Sequence, residues 1–345
     1  MFLLFNIIGY FLLPIYLIFH FNEKKIFSIY LITFVMMGIY AILQFIFPFI
    51  GVCDPFARQT MLVFVRPQAM TYEPSYYALY LVPFVFYYNT QFMLNDVKKE
   101  NFVQFMKLFF VNLFLLISTS TGAFFSYIIY FCVLSCLFFN KRIIKEYILF
   151  KKKYILLIGF FCSFLLFFSV FVSQLFANSF YKFFLKGFSH HSFVPRWTGI
   201  VNSIYVFIKN PFFGVSIGGI GPYLYLEKNP GLRFEDLSIK DINPYDPTNI
   251  GTEILASLGL FGLVVICYFL YIYFKPFFKA IKNPVISKSN KSTIISLLIS
   301  LIVVGIVWQF NQGIFRSYIW LHAGISYAMT IKITRSANQK NTFIS

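Results

Sequence analysis

ILASLGLFGLVVICYFLYIYF, residues 254–274, carries neither charge nor proline, and its reading decides the class of the protein. A helix rises 1.5 Å per residue, so about 20 mostly apolar residues cross the ~30 Å hydrocarbon core of a bilayer. This run has that length. Working outward, blocks of the same kind occupy residues 2–20, 26–50, 75–94, 102–118, 122–139, 154–176, 293–310 and 318–331. Together they predict an all-α membrane protein, a polytopic bundle of about nine transmembrane helices. Residues 2–20 lack the basic leader and small-residue cleavage site of a signal peptide, so they are expected to be retained as a helix.

Composition agrees. The chain is 59% hydrophobic, with 50 Phe and 24 Tyr, and only 12% of it is charged, against roughly 25% in soluble proteins. There is too little polar surface to cover a water-soluble globule of this size. A net charge of +17 would suit nucleic acid, but that needs Lys and Arg gathered on a soluble module, and here they fall in short runs between apolar blocks. Nucleic acid is therefore excluded as a partner. The five cysteines, Cys53, Cys132, Cys136, Cys162 and Cys267, form no CxxC pair and no metal-ligand spacing.

Basic residues set the orientation. If Lys24 and Lys25 face the cytoplasm, so do Lys98 and Lys99, the run from Lys141 to Lys153, the run from Lys275 to Lys291, and the tail with Lys332, Arg335 and Lys340. That arrangement puts most of the basic charge inside, with the C-terminus cytoplasmic and the N-terminus outside. The outer side then receives residues 51–72, the turn 118–122, a long loop 178–253 between the sixth and seventh helices, and residues 311–317. The domain plan is one polytopic membrane domain, 1–345, with that loop inserted. Residues 214–221 superficially resemble a phosphate loop, but no Gly-Lys-Ser/Thr follows and the segment faces away from cytosolic ATP.

The long loop holds most of the unusual chemistry. Residues 179–188 mix lysines with aromatics, as expected of a segment in the membrane interface. His190 and His191 follow. From Trp197 the positions Ile200, Val201, Ile204 and Ile208 keep the spacing of an amphipathic helix that starts at Arg196 and ends at Asn210-Pro211. Arg196 alone would read as an interfacial anchor. Yet Arg58, Arg66, Arg196 and Arg316 all fall on the outer side at helix mouths, while the cytoplasmic runs are almost entirely Lys. Guanidinium offers a planar fork of donors suited to phosphate, whereas Lys is a point charge. An outer arginine set points to a polyanionic headgroup such as a pyrophosphate. Glu73, at the mouth of the third helix, has two readings, a carboxylate favoured by the helix dipole or a functional acid. Glu253 likewise reads either as a helix cap or as an intramembrane acid, which is costly and usually functional. His322, a turn inside the last block, reads better as a packed, hydrogen-bonded histidine than as a base.

Several of these stretches, in this order, resemble the O-antigen polymerase and O-antigen ligase superfamily: Arg66-Pro67 with Glu73-Pro74-Ser75-Tyr76-Tyr77-Ala78-Leu79-Tyr80-Leu81; Ser118-Thr119-Ser120-Thr121-Gly122; Arg196-Trp197; Asn210-Pro211-Phe212-Phe213-Gly214-Val215-Ser216-Ile217-Gly218; Pro247-Thr248-Asn249 leading to residues 253–262; and Arg316 with Tyr318 and Trp320. The resemblance implies a bacterial inner-membrane glycosyltransferase of the all-helical, GT-C-like type, metal-independent and without cofactor. It would act at the periplasmic face on undecaprenyl-pyrophosphate-linked oligosaccharide, alongside membrane lipids, a flippase and a chain-length regulator.

Carried onto this chain, it assigns Arg66, Arg196 and Arg316, with Arg58 next, to the pyrophosphate, whose charge develops as it leaves. The acceptor hydroxyl needs a base within reach, for which His190, His191, Glu253 and Asp246 are the candidates beside Asn249. Ligases carry a His-Asn pair where this chain has Thr248-Asn249, so the ligase base is missing there and polymerisation of O-antigen or capsular repeat units is the expected activity. Ligation of glycan to lipid A core is the alternative within the class. A flippase or exporter is the alternative outside it, and such a protein should line a passage with mid-membrane charges that these blocks lack.

Overall fold

The computed structural model describes residues 2–51, 60–61, 64–65, 67–71, 74–94, 102–118, 120–139, 155, 157–159, 193–233, 235, 238, 249–309 and 316–342. Eight of the nine apolar blocks are helical in it; the block 154–176 lies outside the described residues apart from 155 and 157–159. The helices are α1, residues 2–20; α2, Glu23–Ile46; α3, Pro74–Leu94; α4, Phe102–Leu116; α5, Thr121–Phe139; α6, Phe193–Lys209; α7, Ile220–Lys228; α8, Ile250–Lys282; α9, Lys288–Trp308; and α10, Ser317–Thr342. Among the described residues the only strands are β1, Thr60–Met61, and β2, Phe64–Val65, a short antiparallel ribbon in an otherwise helical chain. α2, α8 and α9 are long and apolar enough to cross a membrane; the stretches 6–20, 103–116 and 122–136 are shorter apolar helices.

Two compact units are present. One comprises Met1–Tyr181, Pro276–Val307 and Arg316–Ser345; the other comprises Lys182–Lys275 and Trp308–Phe315.

In the first unit, α1 and α10 pack directly together. Gly324 makes this possible, because a Cβ there would lie 2.5 Å from the Phe11 carbonyl oxygen. Proline shapes α1 itself. Pro14 has no N–H to donate back along the helix, and the preceding residues, Asn6–Leu12, are wound as a π-helix. At the far end Lys332 of α10 donates to the carbonyls of Ile18 (2.6 Å) and Phe21 (2.9 Å) and pairs with Glu23 at 3.1 Å, capping α1 and holding the turn into α2. Asn22 caps α2 by accepting from the Lys24 and Lys25 amides.

α3 packs on α4 and α5 around fully buried Tyr77, Phe84, Phe86, Tyr127 and Tyr130. Polar groups within this packing are paired. Asn89 and Asn112 exchange two side-chain hydrogen bonds (3.0 and 2.9 Å), and the Tyr127 hydroxyl donates to Asn112 Oδ1 at 2.6 Å.

The second unit is built on α6, α7 and the start of α8, with Val206, Ile220, Leu224 and Ala256 as its core. Here the structure goes beyond the sequence reading. The run 254–274 falls in a helix long and apolar enough to span, as its length predicts, but α8 breaks at Gly259, whose φ of 63° and ψ of −163° are non-helical. The backbone groups freed by the break are taken up by the segment after α6. Val215 and Ser216 donate their amides to the carbonyls of Ala256 (3.0 Å) and Ser257 (2.9 Å); Leu260 and Phe261 donate theirs to Pro211 (2.8 Å) and Phe212 (3.2 Å). Broken backbone in an apolar helix persists only where protein satisfies it, and residues 210–216 do so here.

Candidate functional site

Arg316 sits at the mouth of α10, its carbonyl accepting the Ile319 amide at 3.3 Å. Its guanidinium carbon lies 3.8 Å from the centre of the Tyr76 ring, in the first turn of α3. One turn further along α3 the contact continues, with Tyr80 meeting Tyr318, in the first turn of α10, edge to face at 6.0 Å between ring centres. The Tyr318 hydroxyl is buried with no hydrogen-bond partner among the described residues.

A hydrogen-bonded chain runs inward from Tyr80. The Tyr80 hydroxyl donates to Thr33 Oγ1 (3.0 Å), and Thr33 donates to the Tyr30 carbonyl (2.7 Å). The Tyr30 hydroxyl is 2.8 Å from His322 Nδ1, and His322 Nε2 is 2.9 Å from Ser300 Oγ. Ser300 gives its only proton to the Leu297 carbonyl at 2.8 Å, so Nε2–H must donate to Ser300 and Nδ1 must accept from Tyr30. That consumes both ring nitrogens of a neutral imidazole. His322 is a hydrogen-bonded structural histidine, as its sequence context suggested.

Next to Arg66 in the chain, Pro67, Gln68 and Ala69 are buried. Gln44 of α2 clamps them: Oε1 accepts from the amides of Gln68 (3.1 Å) and Ala69 (2.7 Å), and Nε2 donates to the Ala69 carbonyl (3.2 Å). The clamp holds Ala69 at a φ of 48°, a left-handed conformation that a non-glycine residue rarely adopts. Nothing in the sequence singled out Gln44, which lies inside an apolar block.

In the second unit Arg196 is exposed in the first turn of α6. The apolar stripe of that helix is also outward, with Trp197 57% and Ile208 67% exposed, while Gly199, Ser203 and Val206 face inward. Tyr205 donates to Glu227 of α7 at 2.7 Å, and this bond to a carboxylate raises the phenol above its ordinary range.

Asn249 caps α8. Its Oδ1 accepts the Thr252 amide at 3.0 Å, and its Nδ2 donates to the Gln309 carbonyl at 2.8 Å. Gln309 Oε1 in turn accepts the Gly251 amide at 2.9 Å. Glu253, only 9% exposed, stands in this capped first turn. Asn249 and Glu253 are thus neighbours at one helix start. Of the remaining candidates, Arg58, Arg66, Glu73, His190, His191 and Asp246 lie outside the described residues, as does Thr248.

Residues 106–267 match the family described as O-antigen ligase, a span a little under half of the chain. This match supports a place for the chain in the O-antigen polymerase and ligase superfamily. No curated protein and no solved structure matches it. Members of the superfamily are membrane glycosyltransferase-like enzymes, polymerases or ligases, and the family together with the apolar helices makes this a multi-pass membrane protein. The superfamily span takes in Arg196, Asn249, Glu253, the 210–216 segment and the break at Gly259. Arg316 and Tyr76 fall outside it.

Proposed function

We propose that the protein is a polysaccharide polymerase, which transfers a growing glycan from undecaprenyl pyrophosphate to a sugar hydroxyl of an incoming lipid-linked repeat unit. The observation that carries the reading is the superfamily match over a span in which Arg196 is exposed at the start of α6. The acceptor oxygen forms a bond to the anomeric carbon of the donor glycan while the bond from that carbon to the pyrophosphate oxygen breaks. Undecaprenyl pyrophosphate departs with the electron pair, and the acceptor proton passes to a base. Arg196, Arg66 and Arg316, with Arg58, offset the charge on the departing group. Glu253 is the favoured base, being a buried carboxylate in a capped helix start, with His190, His191 and Asp246 as the other candidates. Glu73 borders the same outer face.

Thr248 favours polymerisation over transfer to lipid A core, because the histidine of the ligase motif is absent from that position. The reading places the protein in the bacterial inner membrane, with residues 178–253 and the arginines on the periplasmic side, supplied by a flippase and paired with a chain-length regulator. Deletion of the gene complemented with wild type, Arg196→Ala, Arg66→Ala or Arg316→Ala tests it by the glycan ladder. Wild type should restore long chains, and each variant should leave mostly single repeat units, a loss on the order of a hundredfold or more for an oxyanion-type contact. Wild-type ladders from all three variants would sink the assignment.

A further inference from the structure

Among the described residues Arg316 has a defined aromatic partner, and the separation carries chemical information. At 3.8 Å between the guanidinium carbon and the ring centre, the two groups are at the stacking distance of planes lying face to face. A guanidinium held by one face on a ring presents its N–H donors edgewise, in the plane of the fork. We propose that Tyr76 is a positioning residue that lays the Arg316 guanidinium flat, so that its edge grips a phosphate of the lipid-linked substrate with two parallel hydrogen bonds; this rests on the polymerase reading above.

The Tyr76 ring is itself well placed to act as a support. It stands one turn before Tyr80, whose ring meets Tyr318 and whose hydroxyl is anchored on Thr33 of α2. The start of α3 is therefore tied to α10 and to α2 one turn beyond the Arg316–Tyr76 contact. An edge-on fork matches two oxygens of one anion, as a phosphate presents them. It also makes Lys a poor substitute, since an ammonium is a point charge without a fork.

The test uses the full-length protein in detergent with undecaprenyl pyrophosphate as the probe, measuring its dissociation constant and, for each variant, the thermal unfolding midpoint. Tyr76→Leu should weaken binding roughly threefold to tenfold with little change in the midpoint. Tyr76→Phe, which keeps the ring, should bind like wild type, and Arg316→Lys should be as weak as Arg316→Ala. Wild-type binding by Tyr76→Leu or by Arg316→Lys overturns the proposal, as does equal loss in Tyr76→Phe and Tyr76→Leu, which would assign the effect to the hydroxyl. If those results come with a weakened Arg316→Ala, the stack alone falls. If Arg316→Ala binds normally, Arg316 is not a pyrophosphate contact, and that part of the functional reading falls with it.

Discussion

Tyr127 and Tyr318 carry the same hydroxyl in opposite circumstances, and they should respond oppositely to its removal. Tyr127 is fully buried and donates to Asn112, which is also bonded to Asn89 and to the Leu108 carbonyl. Tyr127→Phe removes one of the bonds to that amide and should cost about 1 kcal/mol, and Asn112→Ala, which takes a partner from both Asn89 and Tyr127, about 1–3 kcal/mol. The Tyr318 hydroxyl meets no partner among the described residues, so Tyr318→Phe deletes a desolvated group without orphaning another and should leave stability equal or slightly higher. Thermal unfolding in detergent ranks the three, and a lower midpoint for Tyr318→Phe than for Tyr127→Phe would contradict this account. The tyrosines stood in plain view in the sequence, and Tyr76, Tyr80 and Tyr318 lie within stretches that carry the family resemblance. Their partners lie far away along the chain, as with Tyr30 and His322, so no periodicity could pair them.

α8 shows where sequence reading reached its limit at the level of an element. Length and apolarity identified the helix correctly, because crossing a bilayer demands both. The break at Gly259 left no such mark, since a glycine within an apolar run reads equally well as a small residue for helix packing. The physical cause lies more than forty positions upstream, in residues 210–216, which supply the hydrogen bonds the broken helix lacks. Two stretches recognised separately as family motifs are thus each other's structural partners. Gly214 and Gly259 both need φ near +65°, and a Cβ on either would sit 2.4 Å from backbone, at Ser257 and Phe212 respectively. Gly259→Ala should therefore detach the segment, at a cost on the order of 2 kcal/mol or more from strain and lost backbone pairing. Gly218, also at positive φ but with open space around it, should tolerate Ala with a smaller loss. Limited proteolysis between α6 and α7 reads the difference; equal protection in the Gly259→Ala and Gly218→Ala variants would refute the docking role.

For the whole molecule, the distribution of Lys and Arg makes a prediction that is independent of any side-chain contact. The topology that puts Lys332 and the α8–α9 turn in the cytoplasm puts the α7 region outside. Positive charge is retained on the cytoplasmic side during insertion, and the runs 275–291 and 332–340 are rich in it. Ser238, Ser289 and Ser336 are exposed and suit single-cysteine labelling in a background stripped of the five native cysteines. In intact spheroplasts a membrane-impermeant maleimide should modify Ser238→Cys and leave Ser289→Cys and Ser336→Cys unmodified until the membrane is opened. On this topology the two positions behave alike, because α9 and α10 would each cross once and bring the end of α10 back to the face of the α8–α9 turn. Labelling of Ser289→Cys before permeabilisation would invert the topology and put Arg196 and Arg316 in the cytoplasm, away from a periplasmic lipid-linked glycan. Labelling of Ser289→Cys and Ser336→Cys from opposite sides would instead mean that α9 and α10 do not both cross, and the helix count would have to fall.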